Sequence, residues 1–140
     1  MAKLLIVEDN LYNLELAAQY LRAEGYEVDQ ANDLRGAYDH LDQNRQKAYD
    51  AIVSDYNLGH RKETGLQVYQ FALATYGSLA MPPLIGTSSE IEKWQEIIDV
   101  FLTDEGFARN PTIHAIPKHD GGTWNIGTIV TKLKELNINP

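Results

Sequence analysis

Five polar residues of this 140-residue sequence stand at the ends of apolar runs. Glu8 and Asp9 follow KLLIV at 3–7. Asp55 follows the run at 51–53, Thr87 closes the run that starts at Leu84, and Lys118 closes the one that starts at Ile113. Gathered in one pocket, three carboxylates, a hydroxyl and an ammonium define a chemistry. Carboxylates about 4 Å apart repel by roughly 4 kcal/mol per pair at an effective dielectric of about 20, so three together need compensating charge. Lys118 supplies one unit. A hard dication held by carboxylates, waters and one carbonyl supplies the rest, a description that fits Mg²⁺. A phosphoryl group fits the same pocket. The metal and Lys118 would neutralise its oxygens, Thr87 would hydrogen-bond one of them, and Asp55 would be the attacking carboxylate. Taken singly, each residue has a plainer reading. Asp55, followed by Asn57 and Gly59, can merely begin a turn, and Glu8 and Asp9 can cap a helix.

Whether the five meet depends on the elements that carry them. Residues 3–7 read as a buried strand, and Leu11, Leu14, Ala18 and Leu21, widened by Ala17, recur at helical spacing. Asn10 can cap that helix and Gly25 can end it. Residues 26–31 read as a more polar strand near a sheet edge, and Asp33 can cap a second helix with Ala37, Tyr38 and Leu41 inward. The third strand is the apolar run ending at Asp55. HRKET at 60–64 is a polar loop, and Gly65 leads into a third helix with Leu66, Tyr69, Leu73 and Tyr76 as its apolar face. The fourth strand runs from Leu84 to Thr87. The fourth helix follows Ser88 or Ser89 and carries Ile91, Trp94, Ile97, Ile98 and Phe101. Residues 102–112 break the pattern, Ile113 to Lys118 form the fifth strand, and a last helix carries Ile126, Ile129, Val130, Leu133 and Leu136. Trp124 opens that helix, with partial exposure expected.

Five strands alternating with five helices imply a parallel sheet covered on both faces. The expected fold is an α/β, flavodoxin-like, doubly wound (βα)5 sandwich with strand order 2-1-3-4-5. In such a sheet the carboxyl ends of the strands meet at one rim, where Glu8, Asp9, Asp55, Thr87 and Lys118 all fall. The chain reads as one domain over 1–140, with an insertion near 102–112 and no second domain.

Bulk properties narrow the function. With 44% apolar and 23% charged residues the chain can form a real core. A net charge of −8 argues against binding nucleic acid or an anionic membrane. The absence of cysteine excludes disulfides, thiol catalysis and cysteine-ligated metals. No apolar run is long enough to span a bilayer and no signal peptide precedes the first strand, so a cytoplasmic location is expected.

VEDN at 7–10 with Asn13, YDAIVSD ending at Asp55, Thr87 and Lys118, in this order and each at a strand end, resemble the receiver domain of two-component response regulators. The resemblance spans Lys3 to about Leu136. It implies that Asp55 is the phosphoacceptor, served by a histidine kinase or phosphotransfer protein. It implies Asp9 and Asp55 as direct Mg²⁺ ligands, Glu8 as a ligand largely through water, and the backbone carbonyl of Asn57 as the third protein ligand. Thr87 matches the switch hydroxyl and Lys118 the phosphate-pairing lysine. Output would pass to a protein partner through the face of helix four, strand five and helix five.

The chain departs from the family in places. Gly59 stands where a proline is common, His119 rather than proline follows Lys118 while Pro117 precedes it, and Ile116 occupies the position two before the lysine where many family members carry an aromatic switch residue. The 102–112 segment is longer than usual, with a structural insertion as the plain reading and a partner surface using Phe101 and Phe107 as the sharper one. His114 and His119 read as ordinary strand and loop residues rather than a metal pair, and Tyr56 could gate access to Asp55. Two rival functions follow. One is a non-phosphorylated interaction module of the same fold. The other is an Mg²⁺-dependent phosphatase, which would want an acid two residues after its nucleophile, where Asn57 stands. The expectation is therefore a non-enzymatic protein whose only chemistry occurs on its own Asp55.

Overall fold

The computed structural model describes residues 1–59, 62–103 and 113–140, with residues 100–103 as backbone. His60, Arg61 and residues 104–112, including Phe107, lie outside the described residues, as does the side chain of Phe101. The elements alternate as β1 (Lys3–Val7), α1 (Leu11–Ala23), β2 (Glu27–Ala31), α2 (Leu34–Gln43), β3 (Ala51–Asp55), α3 (Gly65–Tyr76), β4 (Leu84–Ser88), α4 (Glu92–Thr103), β5 (Ile113–Pro117) and α5 (Ile126–Glu135). The strands form one sheet in the order β2-β1-β3-β4-β5, and every neighbouring pair is parallel. This is the flavodoxin-like arrangement expected from the alternation.

The sheet is hydrophobic on both faces because helices cover both. All five residues of β3 and of β4 are buried. Alternation along each strand divides the core in two. Leu4 and Ile6 of β1, Val53 and Ile85 pack with Leu14, Ala17, Ala18 and Leu21 of α1 and with Ile129 and Leu133 of α5. Leu5 and Val7, Ile52 and Leu84 pack with Ala37 and Leu41 of α2, Val68, Tyr69 and Ala72 of α3, and Trp94 of α4. At the edge, β2 is more polar and starts with the exposed Glu27.

Local signals set the helix starts. Asn10 Oδ1 accepts the Asn13 N–H at 3.0 Å and Asp33 Oδ1 accepts the Gly36 N–H at 2.7 Å, each satisfying an orphan donor of the first turn. Gly25, with φ +105°, follows the end of α1. Three expectations need correction. Leu11 is exposed at the first position of α1, because the buried stripe of the helix begins at Leu14. In α3 the buried residues are Gly65, Val68, Tyr69 and Ala72, while Leu66, Leu73 and Tyr76 are half-buried. That helix is apolar on most of its circumference, so spacing alone cannot select the face that meets the sheet. Trp124 is buried and precedes α5, which is capped by Asn125.

Candidate functional site

Parallel register brings the strand ends together. Asp55 on β3 pairs with Thr87 on β4, and Thr87 pairs with Ile116 on β5, two residues before Lys118. Glu8 extends β1 by one residue, its N–H donating to the Ala31 carbonyl at 3.1 Å. Glu8, Asp9 and Asp55 each offer a carboxylate oxygen, and these oxygens lie within 4.8 Å of one another. Glu8 and Asp55 are buried at 1% and 5% exposure, whereas Asp9 faces solvent. The pocket thus has a buried floor and one open acidic wall.

Lys118 bridges the floor. Its Nζ donates to Asp55 Oδ2 at 2.9 Å and to Glu8 Oε2 at 3.4 Å. Burial disfavours its charge, but the hydrogen bond and charge of Asp55, followed by those of Glu8, outweigh that and hold the ammonium above the usual lysine value. For Glu8 the balance runs the other way. Burial first, then the negative charge of Asp55, push its carboxyl up to about 7, against the opposing pull of Lys118 and of the Trp124 N–H. Burial is the larger cause of the raised proton affinity of Glu8, and the charge of Asp55, only partly offset by Lys118, adds to it.

Asp55 Oδ1 accepts the Tyr56 N–H at 2.8 Å, and the same N–H points at the Thr87 carbonyl at 3.0 Å. This fixes the carboxylate against the backbone that leaves it. The chain then folds back on itself. Asn57 bridges Thr64, the Leu58 N–H donates to the Glu63 carbonyl at 3.0 Å, and the Gly65 N–H donates to the Tyr56 carbonyl at 2.7 Å. Leu58 is buried and anchors this turn, while Asn57 stays exposed at the rim. Gly59 turns at φ +95°, and a Cβ there would lie 3.5 Å from Asp9 Oδ2. Glycine at this position follows from the backbone, where a proline could not adopt that φ.

Thr87 is fully buried, and its Oγ1 has no hydrogen-bond partner among the described residues. Its carbonyl accepts the indole N–H of Trp94 at 3.1 Å. Trp94 is fully buried and lies edge-on to Tyr56 with ring centroids 5.4 Å apart. Two glycines make room for it. A Cβ on Gly86 would lie 2.4 Å from the Trp94 ring, and one on Gly65 would lie 2.5 Å from it. Spacing placed Trp94 in the core correctly but gave no sign that it abuts the strand end beside Thr87.

Sequence reasoning missed Trp124. Its Nε1–H donates to Glu8 Oε2 at 3.0 Å. The signal was indirect: a buried carboxylate needs donors, and an indole is a donor with no acceptor capacity. The two histidines lie on a strand and in a turn. His114 is half-buried on β5, where burial, then Lys132, lower its pKa, and His119 is exposed in the following turn.

Three of the donors expected for Mg²⁺, the carboxylates of Glu8, Asp9 and Asp55, converge at the rim, one of them exposed. The donor set is all oxygen and suits a hard dication. Comparison with known proteins agrees with this geometry. The family model described as the response regulator receiver domain matches residues 4–105, which include Glu8, Asp9, Asp55, Asn57 and Thr87 and stop short of Lys118. No match is found among curated proteins. Among solved structures, the chemotaxis response regulator CheY4 of Vibrio cholerae is 28% identical, with a TM-score of 0.66 over 97% of this chain and 98% of that one. The receiver domain of the hybrid histidine kinase CckA is 23% identical, with a TM-score of 0.66 over 96% of this chain and 97% of that one. The response regulator TrrA of Thermotoga maritima, solved in complex with Mg²⁺-BeF, is 20% identical, with a TM-score of 0.64 over 97% and 99% of the two chains. With the family match covering most of the sequence and four of the five strand-end residues inside it, the chain belongs to the response regulator receiver domain family.

Proposed function

We propose that Asp55 is a phosphoacceptor, taking a phosphoryl group from a histidine kinase or a phosphotransfer protein, and that this modification switches the affinity of the domain for a protein partner. The observation that carries the reading is the bridging of Asp55 and Glu8 by Lys118 within the acidic pocket. A carboxylate oxygen of Asp55 attacks phosphorus. The bond to the donor's imidazole nitrogen breaks, its electron pair stays on that nitrogen, and an acyl phosphate forms on Asp55. Asp9, Asp55 and the Asn57 carbonyl would hold Mg²⁺, with Glu8 acting largely through water. The ion supplies charge neutralisation for the phosphoryl oxygens.

The protein's own groups do the rest. Tyr56 N–H holds the carboxylate in place, so little orientation is lost on reaction. Lys118, now shared between Asp55 and Glu8, pairs with a phosphoryl oxygen once Asp55 is esterified. Thr87 brings a buried hydroxyl with an unused hydrogen bond, a cost of about 1–3 kcal/mol that a phosphoryl oxygen would relieve. Movement of Thr87 would be felt by Trp94, which is bonded to its carbonyl, and so by α4. The partner would read this at the face of α4, β5 and α5. The domain turns over no separate substrate in this reading.

Acetyl phosphate with Mg²⁺ is expected to add one phosphoryl group to the intact protein by mass spectrometry, and Asp55→Asn is expected to abolish it. An unmodified wild-type protein, or a phosphoryl group that survives Asp55→Asn, would overturn the assignment.

A further inference from the structure

The turn after Lys118 is built to deliver one side chain to the acidic floor. His119 N–H donates to the Thr123 carbonyl at 2.9 Å and Gly122 N–H to the His119 carbonyl at 3.0 Å. Gly121 and Gly122 hold φ near +91° and +89°, a region that favours glycine. The Asn13 side chain fastens the turn to α1 by donating to the Gly122 carbonyl at 3.2 Å. The chain emerges with Trp124 buried over Glu8.

We propose that Trp124 is the positioning residue of Glu8, fixing which oxygen of that carboxylate serves the metal. The hydrogen bonds that Trp124 and Lys118 donate to the Glu8 carboxylate both fall on Oε2. With Oε2 taken by these donors, Oε1 is the oxygen this inference leaves to the metal, in a carboxylate that converges with those of Asp9 and Asp55. A buried glutamate held by one flexible lysine could rotate. The planar indole, packed in the core beneath α5, cannot follow such a rotation, so it selects one rotamer. Trp124 immediately precedes Asn125, the cap of α5, so the same contact links Glu8 to the start of that helix. The inference rests on the Mg²⁺ part of the proposed function.

The test is a calorimetric Mg²⁺ titration of wild type, Trp124→Phe, Glu8→Gln and the double variant. Phenylalanine keeps a ring and removes the N–H. Affinity is expected to fall roughly tenfold in Trp124→Phe, the effect of losing one hydrogen bond to a charged group. In the Glu8→Gln background the same change is expected to have little further effect. A second readout needs no change at Trp124. In Trp94→Phe, where Trp124 is the sole tryptophan, Mg²⁺ is expected to shift its emission. Wild-type affinity in Trp124→Phe, an equal loss in both backgrounds, or emission that ignores Mg²⁺ would overturn the inference. Failure of the wild type to bind Mg²⁺ would instead remove the metal reading itself, and this inference with it.

Discussion

At the scale of single residues, the site is governed by an imbalance of charge. Lys118 is the one described lysine or arginine in contact with the buried acids, and it faces both Glu8 and Asp55. Glu8, through burial first and then the neighbouring charge of Asp55, has its carboxyl raised to about 7. The sign of the consequence follows from proton linkage. Between the ordinary glutamate value and about 7 the folded protein holds a proton on Glu8 that the unfolded chain has released. Its stabilising contribution is present below that window and is lost as pH rises through about 7. Mg²⁺ competes with the same proton. We therefore expect Mg²⁺ affinity to rise with pH up to about 7 by as much as roughly tenfold per unit, then to level off. Titrations between pH 5 and 8 check this, and an affinity flat across that range would show that Glu8 is not protonated in the ion-free protein.

At the scale of elements, α4 is joined to the site through Trp94. Helical spacing assigned Trp94 to the core, and its contact with the Thr87 carbonyl ties the helix to the strand end that carries the Thr87 hydroxyl. The contact depends on Gly86, because a Cβ there would lie 2.4 Å from the ring. Gly86→Ala is expected to destabilise the protein by about 1–3 kcal/mol through overpacking. A smaller partner should relieve this, so in a Trp94→Leu background the same substitution is expected to cost less. Denaturant melts of the four proteins check the coupling, and strictly additive losses would deny the contact. Packing against the sheet, rather than spacing, selects the buried face of α3. Leu66, Leu73 and Tyr76 were expected inward from spacing, but the sheet selected Val68 and Ala72 with Tyr69. An apolar helix offers several stripes, and only the partner surface chooses among them.

At the scale of the whole molecule, the acids come from β1 and β3 and the cation from the end of β5, so the pocket exists only when the sheet is assembled. A ligand that binds this pocket and not the unfolded chain stabilises the entire fold. Mg²⁺ at about 100 times its dissociation constant is expected to add roughly 2.7 kcal/mol, several degrees in melting temperature. Calorimetric scans with and without the ion test this, and Asp9→Asn should reduce the shift. The chain carries −8 net charge, and no helix among the described residues is long and apolar enough to cross a membrane.

The order of elements and the residues at the strand ends could be read from the chain, because each rests on local periodicity or on where an apolar run stops, and the strand sequence 2-1-3-4-5 followed from the doubly wound fold that the alternation implies. Glu8, Asp9, Asp55, Thr87 and Lys118 were found this way, since position along a strand fixes position along the sheet. What the assembled structure alone decided concerns contacts between residues distant in sequence. Trp124 reaches Glu8 across 116 positions, and Lys118 reaches Asp55 across 63. Trp94 finds its slot because two glycines, on β4 and at the start of α3, leave room for it. Such pairings depend on how faces and turns meet in space, and neither propensity nor spacing encodes them for a single chain.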